Sequence, residues 1–191
     1  MASAAVAGLS HGKVASSNVP LGVMLLSLDS STYRVGDKLV CEIEVKNTGT
    51  QIVEFPWDPS ITDVEPSQER SYEYDAAALS LSFFVSGNQI ASLPPVTLYG
   101  LASRPHSLLK LAPGKWARLR LKWALVFKDA AFMASLTTTR KVSTSVKANV
   151  QLTRARVSLH DGSYHEQIVA SGPPIVSAEV NSIELVSSSP R

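Results

Sequence analysis

Few residues in this chain have the types and spacing to do chemistry. The densest set of hard oxygen donors is the run from Trp57 to Asp75, WDPSITDVEPSQERSYEYD, with Asp58, Asp63, Glu65, Glu69, Glu73 and Asp75. Calcium gathers several such oxygens, which makes Asp58, Asp63 and Glu65, the closest-spaced set, candidate metal ligands. The Gly and terminal Glu of an EF-hand loop are missing, and a solvated acidic loop is the plain alternative. His160 and His165 flank Asp161-Gly162. A longer loop would set both imidazoles across a hairpin, where Asp161 could complete a metal site. A tight Asp-Gly turn, which the residue types favour, pairs His160 with Ser163 and disperses the set.

Nucleophilic and phosphate chemistry find less support. Cys41 is the sole cysteine, which excludes an internal disulfide and any zinc site built on several cysteines. It falls in an inward-facing row and reads as a small buried hydrophobe. No G-x-S-x-G elbow is present to raise one of the many serines into a nucleophile. No Gly-rich phosphate loop is present either. The expectation is therefore no catalytic residue, no cofactor and no enzyme.

One basic stripe stands out. Trp116, Arg118, Arg120 and Lys122 alternate along a single strand, with Lys115 in the turn before them. Such a face could stack on and neutralise a glycan, a nucleic acid or an acidic protein. A solvated sheet face, with Arg stems covering their neighbours, is the plain alternative. These four are the candidate partner-binding residues. The formal net charge of +2 is too small to point to a nucleic-acid partner.

The elements that must position these residues are strands. In YRVGDKLVCEIEVKNTGTQIVEFPW, from Tyr33 to Trp57, Leu39, Cys41, Ile43 and Val45 share one face. Lys38, Glu42, Glu44 and Lys46 share the other, so a half-buried strand is predicted over 38–46. Asn47-Thr48-Gly49-Thr50 supplies the turn, and 51–55 returns. Further strands are predicted over 23–28 (Met24, Leu26 and Leu28 on one face), 78–85, 89–93, 96–98, 108–111 and 116–126. Ala112-Pro113-Gly114-Lys115 has the order of a type II turn. In the strand after it, Trp123 shares the parity of Leu119 and Leu121 and is the predicted core tryptophan. Trp116 faces outward.

A long strand is predicted over 144–159, where the apolar parity changes between Leu152 and Ala155; a bulge near Thr153 or Arg154 would reconcile the two halves. Strands over 164–170 and 175–186 follow, the last with a second irregularity. A short helix fits 128–135, with the threonines after it unsuited to continue it.

About nine or ten short strands separated by turn signals is the pattern of an all-β sandwich. With 191 residues, 45% hydrophobic and 18% charged, the chain suits one folded domain. The expected organisation is a disordered segment over 1–20, a domain over 21–187 with a long loop at 56–77, and a frayed tail over 188–191. No run is long enough for a transmembrane helix. The N-terminal MASAAVAGLSHGKVASS lacks the basic start of a secretory signal.

The series Tyr33-x-x-Gly36-Asp37-x-Leu39-x-x-x-Ile43-x-Val45-x-Asn47-x-Gly49 resembles the opening of bacterial immunoglobulin-like modules. These include the cell-adhesion-related kind and the BsuPI-type proteinase-inhibitor domain. Leu111-Ala112-Pro113-Gly114-Lys115 resembles a turn of the same modules, and Val146 to Leu152 one of their strands. The likeness covers roughly residues 22–57 and 107–187. It implies an Ig-like antiparallel β-sandwich and a non-enzymatic interaction or spacer module of a bacterial, exported protein, secreted or periplasmic, with a protein or glycan partner. A protease inhibitor is the alternative, and an unrecognised hydrolase a second. The matching positions are turn glycines and core residues, which carry fold rather than function.

Overall fold

The computed structural model describes residues 19–58, 71–101, 103–160, 163–170, 172–178 and 180–187. Its strands are β1 (Leu21–Leu28), β2 (Thr32–Arg34), β3 (Lys38–Asn47), β4 (Val53–Pro56), β5 (Ser71–Val85), β6 (Asn88–Ser92), β7 (Val96–Leu101), β8 (Leu108–Leu111), β9 (Trp116–Ala124), β10 (Lys141–His160), β11 (Ser163–Ala170), β12 (Ile175–Val176) and β13 (Val180–Val186). A 3-10 turn (Pro105–Ser107) precedes β8, and one α-helix, α1 (Ala130–Thr139), precedes β10. The class is all-β. Several strands are only two to four residues long, which is why the turn-based reading found fewer.

Among the described residues the strands form three sheets. One has the order β1-β3-β9. The largest runs β2-β13-β10-β5-β6, with β11 and β12 also on β10 and β7 also on β5. β4 and β8 form a third. The pairs are antiparallel except β13 with β2. Alternation in β3 is realised as expected: Leu39, Cys41, Ile43 and Val45 are buried. They join Leu79, Leu81 and Phe83 of β5 and Val146, Ala148 and Val150 of β10 in one apolar cluster. Burying each of the Val, Leu, Ile and Phe side chains among them stabilises the fold by about 1.5–3 kcal/mol.

The first strand differs from its expected parity. Leu21 and Leu25 are buried and Met24 is exposed, and the register with β3 shifts between Leu25 and Ser27. That irregularity lets Leu28 turn back toward the core. Val19 and Pro20, grouped with the disordered segment, are held: the Pro20 carbonyl accepts from the Thr48 amide at 2.8 Å. The rest of 1–20, like the 188–191 tail, lies outside the described residues.

The loop expected over 56–77 ends earlier, because 71–77 belong to β5. Tyr72 and Tyr74 lie opposite Val157 and Ala155, and Glu73 and Asp75 opposite Arg156 and Arg154. Cross-strand pairing overrides the polar composition. No bulge lies near Thr153 or Arg154; β5 and β10 pair in one unbroken register from Ser145↔Phe84 to Ser158↔Ser71. Instead the two strands change the face they bury. Up to Leu152 the buried face is the shared core; beyond it Ala155 and Val157 are buried on the other face. The face they leave carries Arg154–Asp75 at 2.8 Å and Arg156–Glu73 at 2.7 Å. The second irregularity is real: β12 and β13 are separate, and the hydroxyl of buried Ser177 between them accepts from the Ala148 amide at 2.9 Å.

The helix begins two residues later than expected and runs through the threonines. Asp129 caps it by accepting from the Phe132 amide at 2.8 Å. Thr137, Thr138 and Thr139 donate their hydroxyls to the carbonyls of Met133, Ala134 and Ser135. This back-bonding satisfies the hydroxyls within the helix. Edge-to-face contacts link Phe83 to Phe127 (5.3 Å) and Phe127 to Phe132 (5.0 Å), so α1 is pinned against β5.

Candidate partner-binding strand

β9 starts where its turn says it must. Gly114 adopts φ +73°, the left-handed region that glycine enters without strain, and the Lys115 amide closes the turn onto the Ala112 carbonyl at 3.0 Å. The Gly114 amide also donates to the Asn47 carbonyl at 3.0 Å, and the Asn47 amide to the Lys115 carbonyl at 2.9 Å. This ties the start of β9 to the end of β3. From there the two strands pair without a shift, Lys46↔Trp116 through Lys38↔Ala124.

The strand alternates fully. Ala117, Leu119, Leu121 and Trp123 are buried; Trp116, Arg118, Arg120, Lys122 and Ala124 are exposed. Trp123 is a core residue, and its indole donates to the Pro94 carbonyl at 3.0 Å. Trp116 is 52% exposed. The Arg118 guanidinium lies 4.8 Å from the Trp116 ring centroid and 3.7 Å from a Glu44 carboxylate oxygen. Arg120 and Lys122 lie opposite Glu42 and Val40. Among the described residues neither makes an ion pair within 4.0 Å. Sequence reasoning thus brought together four side chains that the structure does place on one face, with β9 as the end strand of its sheet.

The other candidates are less assembled. Asp63 and Glu65 lie outside the described residues. Asp58 bridges to Tyr99 and has an oxygen 3.7 Å from the exposed His106. His160 pairs with Ser163 and His165 with Ser158, the register of the tight turn. The rings still meet edge to face at 6.2 Å, because both residues lie on the same sheet face. Asp161 lies outside the described residues. Among the described residues no three of His, Cys, Asp and Glu group as metal ligands.

Burial pushes the Cys41 thiol up to about 12, so it has no thiolate at neutral pH. A cleft of about 570 Å³ between β4, β8 and the β5–β10 pair is lined by Ile52, Glu54, Asp75, Lys110, Leu152 and Arg154 among others. Its carboxylates are already engaged, Glu54 with Lys110 at 3.5 Å and Asp75 with Arg154. Among the described residues no His, Cys or Ser lines it.

Two structural polar sites were missed by sequence reasoning. Asn47, read only as a turn residue, is buried; its amide donates to the Gln51 and Leu111 carbonyls at 2.7 and 2.8 Å. Its oxygen accepts from the Gly49 amide at 2.9 Å. Asp29 accepts from the Tyr33 hydroxyl at 2.7 Å and the Val40 amide at 2.9 Å. Burial opposes its charge, but those bonds outweigh burial and hold its pKa below the ordinary value. The Tyr33 phenol is pushed up, by burial first and by Asp29 second. The alternation Asp29-x-x-x-Tyr33 before a strand was the only available signal.

No protein-family model matches the chain, and no curated protein matches it. Among solved structures, the sporulation control protein Spo0M of Bacillus subtilis is similar at 11% identity and a TM-score of 0.36, over 89% of this chain and 50% of that one. The alkylpurine DNA glycosylase AlkC of Pseudomonas fluorescens is similar at 10% identity and 0.33, over 91% and 32%. AvmM, described as catalysing macrocyclization in alchivemycin A biosynthesis, is similar at 8% identity and 0.32, over 91% and 92%. The chain spans half of the first of these proteins and about a third of the second. Likenesses this distant carry no argument about function. No helix among the described residues is long and apolar enough to cross a membrane.

Proposed function

We propose that this chain is a non-enzymatic interaction module, an Ig-like sandwich of the bacterial kind, that takes an acidic partner on the exposed face of β9. One observation carries the reading. Trp116, Arg118, Arg120 and Lys122 form an unbroken outward row on the end strand of a sheet. A mostly exposed tryptophan beside three cations is a surface suited to binding; solvation alone gives no reason for the indole. Arg118 already stacks on that indole, which preorders part of the face. An acidic protein segment and an acidic glycan share the chemistry required. Export from the cell remains an implication of the family resemblance.

The test is a fluorescence titration with poly-glutamate and with a uronate oligosaccharide, at increasing salt. A salt-sensitive change that is lost in Trp116→Phe, and lost in Arg120→Glu with Lys122→Glu, supports the reading. The same charge change placed elsewhere, Lys110→Glu with Lys128→Glu, is expected to leave binding intact. Absence of a Trp116-dependent signal with either ligand, or equal loss in both charge-reversed pairs, would overturn it.

A further inference from the structure

The backbone of β9 narrows the partner's chemistry. In an antiparallel ladder, alternate residue pairs exchange both hydrogen bonds, and the residues between them turn N–H and C=O the other way. The Asn47 amide bonds the Lys115 carbonyl at one end of β9, and the Leu125 amide bonds the Asp37 carbonyl at the other, both at 2.9 Å. The register between those ends is unbroken. Ala117, Leu119, Leu121 and Trp123 are therefore the residues bonded to β3. Trp116, Arg118, Arg120 and Lys122 point their N–H and C=O groups away from it. No strand pairs that side of β9 among the described residues. The same four residues thus present both exposed side chains and outward-facing backbone.

We infer that the partner is an extended strand, acidic at alternate positions, that joins the three-stranded sheet along the open edge of β9. This rests on the reading of β9 as the partner-binding strand and deepens it. Trp116 to Lys122 spans about 20 Å as a strand, enough for a segment of roughly seven residues. Main-chain bonds hold such a segment, and its alternate side chains give specificity. On the outer face, carboxylates would meet Lys122, which lies opposite the apolar Val40, and Arg120, which lies opposite Glu42 and acts on Asp29 through space without an ion pair within 4.0 Å among the described residues. On the inner face the core thins toward the edge. Leu39, Cys41, Ile43 and Val45 of β3 are 0–1% exposed, while Ala117, Leu119, Leu121 and Trp123 are 5–9% exposed. Apolar side chains of an added strand would cover that rim.

Charge also chooses between occupants. A second copy of β9 laid on this edge would set cations against cations, which is destabilising across strands. Basic residues on an edge are a common guard against such self-pairing. An acidic strand turns the same guard into an attractor.

The probe is a synthetic, end-capped nonapeptide alternating Glu and Val, in three forms: unmodified, N-methylated at the Glu amides, and N-methylated at the Val amides. Amide hydrogen exchange and affinity are measured on the full chain. Binding of the unmodified peptide is expected to protect the amides of Trp116, Arg118, Arg120 and Lys122. Those of Ala117, Leu119, Leu121 and Trp123, already bonded to β3, should not change. One methylated form, the one whose lost N–H groups face β9, is expected to bind at least about tenfold more weakly than the other, since several hydrogen bonds go unmade. Equal binding of all forms, or binding without the alternating protection, overturns strand addition while leaving the acidic face-binding reading in place. Binding of poly-glutamate but not of the peptide does the same. Failure of the peptide and of both acidic ligands above overturns the two together.

Discussion

Replacing Asn47 by alanine tests how the start of β9 is held. The side chain is 0% exposed and makes three hydrogen bonds, two as donor and one as acceptor. Alanine leaves the Leu111 carbonyl unpaired in the interior; the Gln51 carbonyl and Gly49 amide, nearer the surface, recover water. At about 1 kcal/mol for each bond, with more for a buried group left unpaired, the loss comes to about 3 kcal/mol. For a chain of this size that lowers Tm by about 6–12 °C. Urea unfolding followed by far-UV circular dichroism at pH 7 reads the difference, with the slope expected unchanged. Asn47→Asp sharpens the test. Its carboxylate keeps the bond from Gly49 but faces two carbonyls, and burial raises its pKa above the unfolded value. Such a group destabilises increasingly as pH rises through that range, so the aspartate variant is expected to recover stability relative to wild type at pH 4 and to lose it at pH 7. A cost below about 1 kcal/mol for Asn47→Ala would refute the reasoning, as would an aspartate variant whose deficit does not depend on pH.

Three more outcomes are expected. Ile43→Asp puts a charge into the fully buried row of β3 and is expected to abolish cooperative unfolding, whereas Glu44→Ala, on the outer face, changes stability by less than about 1 kcal/mol; equal stability of the two would mean the faces are misassigned. Cys41, with its thiol pushed up to about 12 by burial, should resist a thiol reagent at pH 8 until urea unfolds the chain, and prompt labelling of the native protein would place it outside the core. Asp29 has a folded pKa below its unfolded value. Its contribution is therefore complete above the unfolded carboxylate pKa of roughly 4 and fades as pH falls through the lower folded value. Wild type should exceed Asp29→Asn in stability at pH 7 and converge with it in acid, and a gap that persists at low pH would count against the Tyr33–Asp29 bond as its source.

The all-β class, the β3 strand and the β9 face were legible because each rests on strict alternation next to one unambiguous turn. Pro113-Gly114 sets the phase of β9, and Trp123 then falls inward by parity. The long β10 strand was harder for a physical reason. A change of parity after Leu152 has two causes that look alike in a one-dimensional pattern: an extra residue, or a change in what each face touches. The second holds here. The outer row of Ala155 and Val157 lies beside Tyr74 and Tyr72 of β5 and beside Ile168 and Glu166 of β11, and no local signal in β10 reports neighbours so distant in sequence. The polar composition of 71–77 misled in the same way, since Glu73 and Asp75 are strand residues with arginine partners on β10. Asn47 was half legible: its type marks a turn, but which carbonyls it satisfies depends on β8, 64 residues away.

Stability and recognition in β9 depend on the same register. A slip of one residue against β3 would carry Arg118 and Arg120 into the core and put Leu119 and Leu121 in water. It would also exchange which backbone groups face the open edge. The register is fixed at both ends by bonds outside the strand, from Asn47 to the Lys115 carbonyl and from Leu125 to the Asp37 carbonyl, with Gly114 setting the turn. The indole of Trp123 adds a lock across the core to Pro94. Mutations at these anchors should therefore alter partner binding through geometry, without touching the partner. Mutations at Arg120 or Lys122 should alter binding through charge, with little effect on unfolding. Measuring both properties on both groups of variants separates a strand that is basic because it is solvated from one that is basic because something acidic is meant to lie beside it.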